Sequence, residues 1–185
     1  MNPREPQNRR TWPTWATERI EVVDYDPTWA ARGAQEQQLL QELLTPWLHG
    51  HVEHVGSTAI PGLAAKPIID LQAPVQDLAV AELIAPALAP HEWHYVHPDL
   101  DQRPYRRFFV KVVDGRRGAH LHLMAASSLR WRQQLAFRDA LRTRPELVRA
   151  YAQLKHDLAA RHPEDREAYT AGKRLFVDEV LTQDR

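Results

Sequence analysis

Cysteine is missing from all 185 residues, which removes disulfides, thiolate nucleophiles and cysteine-ligated zinc from the chemistry open to this chain. Such a composition is consistent with a reducing compartment. No apolar run approaches the length that spans a bilayer, so a membrane is not an expected partner. The opening MNPREPQNRRTWPTW is polar and proline-bearing and lacks the apolar core of a signal peptide. Residues 1–17 therefore read as a flexible N-terminal arm, and the expected location is cytoplasmic. No repeat, low-complexity tract or linker divides the rest of the chain, so residues 18–185 are expected to form a single domain. A chain of this size can bury most of its apolar surface around one core without covalent staples.

Net charge is also absent, with 24 Lys and Arg against 24 Asp and Glu, but the balance hides a division. Residues 33–102 hold nine acids and one base, Lys66, whereas residues 103–185 hold eighteen bases and ten acids. A cleft between an acidic, cation-friendly lobe and a basic, phosphate-friendly one would suit a nucleotide with its metal. The plainer reading is mutual neutralisation across the packing interface. Arginine outnumbers lysine twenty to four, a bias too general to assign a ligand.

The segment RIEVVD at 19–24 alternates as a short strand does. Asp26 and Pro27 then start a long helix, with apolar positions at Trp29, Leu40, Leu44 and Trp47, ending around Trp47. Strands are expected at 51–55, 67–71, 93–96, 107–113 and 120–124, with the last two joined by an Asp114-Gly115 turn. A helix opens at Asp77 and reaches about Ala89. Beyond Ser127 and Ser128 come three helices: one through Trp131, Leu135 and Leu141, one from Pro145, and one through Tyr169, Phe176 and Val180.

Chemistry concentrates in HVGSTAIPGLAAKPIID, residues 54–70, which reads as strand, Gly-Ser-Thr turn, loop and a strand ending on a carboxylate. Gly56 permits close backbone approach, and the amides that follow it, with the Ser57 and Thr58 hydroxyls, can hold phosphate oxygens. Asp70 can hold Mg²⁺ or Mn²⁺ bridging those phosphates, and Lys66 adds a positive charge. Ser57 and Asp70 are the candidate catalytic residues. Ser57 is read as positioning phosphate, because no nucleophile-elbow pattern surrounds it. Nucleotidyltransferases of the polymerase-β type carry Gly-Ser, a loop of about ten residues and then two alternating carboxylates. Here Gly56-Ser57 precedes Asp70 with twelve residues between, but Gln72 stands where the second carboxylate belongs.

The blocks IEVVDYDPTW, VEHVGSTAIPGLAAKPIIDL, RRFFVK, HLHL and WRQQLAFRDALR, continuing to AYTAGKRLF, resemble in that order the GrpB family from about Ile20 onward. The resemblance implies an α/β (α+β) fold: a nucleotidyltransferase-like mixed sheet with flanking helices and a helical C-terminal part. A relative of the family occurs fused to dephospho-CoA kinase in some bacteria, and the resemblance implies no settled reaction.

His120 and His122 alternate with leucines, so both imidazoles share one strand face and can chelate a metal or line the sheet as hydrogen-bonded residues. His54 could join them. In the family the HLHL block falls roughly where the third carboxylate strand of a nucleotidyltransferase lies. Tyr169 and Lys173 are four apart on one helix face, placed like nucleotidyltransferase helix lysines that reach the triphosphate, and Arg106 can act with them. The aromatics Trp131, Phe137 and Tyr151 fall at core spacing, not on a stacking platform, so polynucleotide binding is not expected. The leading expectation is a metal-dependent nucleotidyltransferase-like protein that binds a nucleotide or phosphorylated small molecule. The second is a catalytically reduced binding or accessory module without turnover, which Gln72 favours, and the third is a histidine-based metallohydrolase. Oligomeric state is not readable from the sequence.

Overall fold

The structure, a computed structural model, describes Trp15 and residues 18–183. Apart from Trp15, the expected N-terminal arm lies outside the described residues. The Trp15 carbonyl accepts a bond from Arg117 Nε at 2.7 Å.

The first helix, α1 (Thr28–Leu44), starts where Asp26 accepts from the Thr28 amide at 2.8 Å and ends in a single 3₁₀ turn at Thr45–Trp47. Next come β1 (Glu53–Val55), a 3₁₀ turn at Ser57–Ala59 and β2 (Ile69–Val75). Asp77 caps the turn that leads into α2 (Ala81–Leu88). After it run β3 (Trp93–Val96), α3 (Pro98–Asp101), β4 (Arg106–Val113) and β5 (Arg116–Ala125). Four helices complete the described chain: α4 (Leu129–Thr143), α5 (Pro145–Arg161), α6 (Arg166–Gly172) and α7 (Arg174–Gln183).

The five strands form one mixed sheet in the order β1-β2-β5-β4-β3, in which only β2 and β5 run parallel. Alternation gives each face a different character. Leu71, Ala73, Leu121, Leu123 and Phe109 join Trp29, Leu40, Leu44, Ile84 and Leu88 in the main core, so α1 and α2 cover that face. The register sets Asp70 opposite His120, Gln72 opposite His122 and His122 opposite Phe108, all on the other face. The C-terminal helices lie over it. Ile60 and Leu63 pack with Leu141, Tyr151 and Val180, and Arg138 of α4 bonds Glu53 at 2.7 Å and the His54 carbonyl at 3.0 Å.

Several expectations need correction. The strand expected at 19–24 is reduced to one bridge, Val23 to Ala65. β2 continues through Pro74 to Val75, where the Pro74 carbonyl accepts from the His49 amide at 2.8 Å and Val75 bridges Leu48, so the proline loses only its own donor. The last expected helix is two, α6 and α7, separated at Lys173. The short helix α3 is an addition to the expected elements.

Candidate functional site

Gly56 ends β1 at φ 69°, and a Cβ there would lie 2.6 Å from Asp70 Oδ2. Only glycine lets the turn approach the carboxylate so closely. Ser57 comes next, partly exposed, its hydroxyl without a hydrogen-bond partner among the described residues. Thr58 differs from expectation. Its hydroxyl donates to the Ile68 carbonyl at 3.1 Å and meets His54 Nε2 at 3.1 Å in a buried pair, so it braces the loop instead of facing phosphate. His54 lies on the α1 side of the sheet against Gly33 and does not join the other histidines. Burial holds its pKa down to about 4.

Asp70 keeps a side chain 31% exposed. His120 Nδ1 donates to its Oδ1 at 2.9 Å, and His122 Nε2 lies 3.8 Å from the same oxygen. Burial alone would raise the Asp70 pKa, but the bonds from His120 and His122 hold it well below the usual carboxylate range. Burial lowers His120 to about 4 and also lowers His122, so both are neutral imidazoles at pH 7. Phe108 packs on both rings, with centroids at 5.0 and 5.2 Å. Asp70, His120 and His122 each offer one ligand atom, all within 4.8 Å of one another. Metal–ligand bonds of about 2.0–2.2 Å put neighbouring ligand atoms roughly 3 Å apart, so these side chains would draw together around one ion. Gln72 is fully buried beneath α4 and donates to the Trp131 carbonyl at 3.3 Å.

Arg106 is not the free phosphate ligand expected. Its Nε and Nη2 bond the Asp101 carboxylate at 2.8 and 2.5 Å, its Nη1 lies 2.6 Å from His122 Nδ1, and its side chain is 10% exposed. Asp101, at the end of α3, was absent from the expected site.

Within the electrostatic field of Asp70 stand lysines. Lys173 and Lys66 hold their ammonium groups 4.5 and 5.3 Å from the Tyr169 ring centroid, so Tyr169, 1% exposed, serves as their platform and not as a ligand contact. Lys155, absent from the sequence expectation, donates to the Ala64 carbonyl and lies 4.9 Å from the Tyr151 ring centroid while only 2% exposed. Burial and the neighbouring lysines depress Lys155 to about 7 and Lys173 to about 8, burial with Arg166 and Arg117 also lowers Lys66, and Asp70 pulls each one back. No carboxylate forms an ion pair with any of the three among the described residues. The chain has four lysines, and three of them meet here.

The family described as GrpB protein matches residues 19–183. The chain belongs to the GrpB family. A UPF0157 protein of Pseudomonas aeruginosa is 39% identical over 188 residues, covering 97% of this chain and 74% of its own length. The crystal structure of the conserved protein GrpB from Enterococcus faecalis aligns with a TM-score of 0.76 at 30% identity, over 88% of this chain and 96% of that one. Cid1, in complex with its short product ApU, aligns with a TM-score of 0.51 at 13% identity, over 75% of this chain and 43% of its own. At that identity the likeness shows the fold alone. The GrpB chain therefore has a nucleotidyltransferase-type core, with Asp70 on β2 and imidazoles on the adjacent β5.

Proposed function

We propose that this GrpB-family chain binds a nucleotide or another phosphorylated small molecule, with a divalent cation shared between Asp70 and the phosphates. The observation that carries this reading is the convergence of Lys66 and Lys173 on Tyr169 with Lys155 close by on Tyr151, without carboxylate partners and within the field of Asp70. Burying unpaired ammonium groups is unfavourable unless an anion arrives to compensate them. Ammonium groups act as point charges that accept phosphate from several directions. Gly56 and Ser57 sit beside Asp70 at the other pole, where backbone amides and a free hydroxyl meet phosphate oxygens. The cation would neutralise phosphate charge and orient the chain of phosphates.

Gln72 favours a second reading, in which binding persists without transfer. Nucleotidyl transfer by two ions needs carboxylates to hold both, and only Asp70 is available on β2.

A thermal-shift panel of nucleotides and phosphorylated metabolites, with and without Mg²⁺ or Mn²⁺, tests the proposal. A ligand at a hundred times its dissociation constant adds about 2.7 kcal/mol to the folded state. Asp70→Asn is expected to abolish the cation-dependent part of the shift and leave a smaller cation-independent part from the lysines. If no phosphorylated compound shifts the melt, the proposal fails. Pyrophosphate release, measured beside binding, separates transfer from binding alone.

A further inference from the structure

We propose that Arg106 is a specificity-determining residue, which fixes His122 as an N–H donor toward Asp70 and so denies that imidazole to zinc-like cations. The inference rests on the reading of Asp70 as the cation holder.

A guanidinium carries five N–H donors and no lone pair. With Arg106 Nη1 2.6 Å from His122 Nδ1, that ring nitrogen must be the acceptor. A neutral imidazole then has its proton on Nε2, the atom that faces Asp70 Oδ1 at 3.8 Å. A histidine ligates through a lone pair and donates its other ring N–H to an acceptor. If His122 Nε2 took a metal, its proton would move to Nδ1 and meet the N–H of Arg106, donor against donor.

The guanidinium has little freedom to leave. Asp101 holds it through two bonds, at 2.8 and 2.5 Å, and the Phe108 ring centroid lies 4.1 Å from its central carbon. Arg103 Nη1 backs Asp101 at 3.7 Å, and Arg103 Nη2 is tied to Glu167 at 3.2 Å. The clamp is assembled from α3, β4 and α6.

Without this clamp, one carboxylate and two imidazoles would form a donor set that zinc, cobalt and nickel prefer over magnesium. With it, the two imidazoles turn toward a single oxygen, Oδ1, while Oδ2 faces the Gly56 turn. What remains is a carboxylate oxygen beside a phosphate-binding turn. That environment suits a hard cation, which binds through few protein oxygens, substrate phosphate and water.

The test compares the intact chain with Arg106→Met, which retains bulk but cannot donate. The Asp101→Asn/Arg106→Met double variant serves as well, since it leaves no stranded buried carboxylate. Histidine ¹⁵N NMR of the wild type is expected to show His122 protonated on Nε2 with Nδ1 as acceptor, and both variants to lose that signature. Co²⁺ titration followed by d–d absorption is expected to show a gain in affinity of about tenfold or more in the variants, the scale on which outer partners of a ligating histidine act. Adding His122→Ala to either variant is expected to remove the gain. Stoichiometric zinc or cobalt on the His122 ring of the wild type overturns the inference, and so does unchanged cobalt affinity in both variants. Phosphorylated-ligand binding to the wild type, scored separately with Mg²⁺, decides the proposed function independently of either result.

Discussion

Lys155 carries a charge at a position where 2% of its surface meets solvent, and the consequence is a dependence of stability on pH. Burial holds it at about 7, against an ordinary value of 10.5. Below pH 7 folded and unfolded chains are both protonated, and the folded state bears the full desolvation cost. Between pH 7 and 10.5 the unfolded chain binds the extra proton, so this cost fades as pH rises. Lys155→Met is therefore expected to melt above the wild type at pH 6, with the difference shrinking toward pH 10. A pH series of thermal melts checks this, and a constant or reversed difference would contradict it. The same variant is expected to bind phosphorylated ligands about tenfold or more weakly, since bonds to charged groups contribute about 1.5–3 kcal/mol. A signal for Lys155 is present in the sequence. Tyr151, Lys155 and Leu158 have i, i+4, i+7 spacing, which places a lysine on an apolar helix stripe. Thr58 and Arg106 escape sequence reasoning for a different reason. Their partners, Ile68 and Asp101, are ten and five residues away, and nothing in local pattern announces a bond to either.

At the level of elements, the hairpin between β4 and β5 is legible because Asp114 and Gly115 both adopt positive φ, 52° and 73°, which their residue types tolerate. The end of β2 is hidden by Pro74, which argues against a strand by pattern alone, although its carbonyl takes the His49 amide there. The break between α6 and α7 is hidden because the apolar spacing from Tyr169 to Val180 runs through it. That junction positions Lys173, and Gly172 makes it possible. A Cβ on Gly172 would collide with Leu158 Cδ2 on α5. Gly172→Ala is expected to cost about 1–3 kcal/mol, as overpacking usually does, and to push Tyr169 and Lys173 away from Lys66. Denaturant midpoints measure the first effect. Ligand-induced melting shifts measure the second, which should exceed any change in cation binding at Asp70.

Over the whole molecule, the opposed charges of the two halves are partly spent on joining them. Glu36 pairs with Lys111 at 2.6 Å and Glu53 with Arg138 at 2.7 Å. Glu53→Gln loosens the strut between β1 and α4 and is expected to lose about 1–3 kcal/mol, read from the denaturant midpoint. A loss below about 0.3 kcal/mol would mean that packing alone holds α4 on the sheet. The unspent remainder is Asp70 and the three lysines within its field. Those lysines are contributed by residues 66, 155 and 173, far apart along the chain. On the proposed reading, a polypeptide emerging from the ribosome acquires its carboxylate and both imidazoles early, while its grip on an anion waits until α6 and Lys173 have been made and docked. By that reading a copy that has not yet docked α6 and Lys173 lacks one of the three lysines and holds phosphate more weakly than one that has.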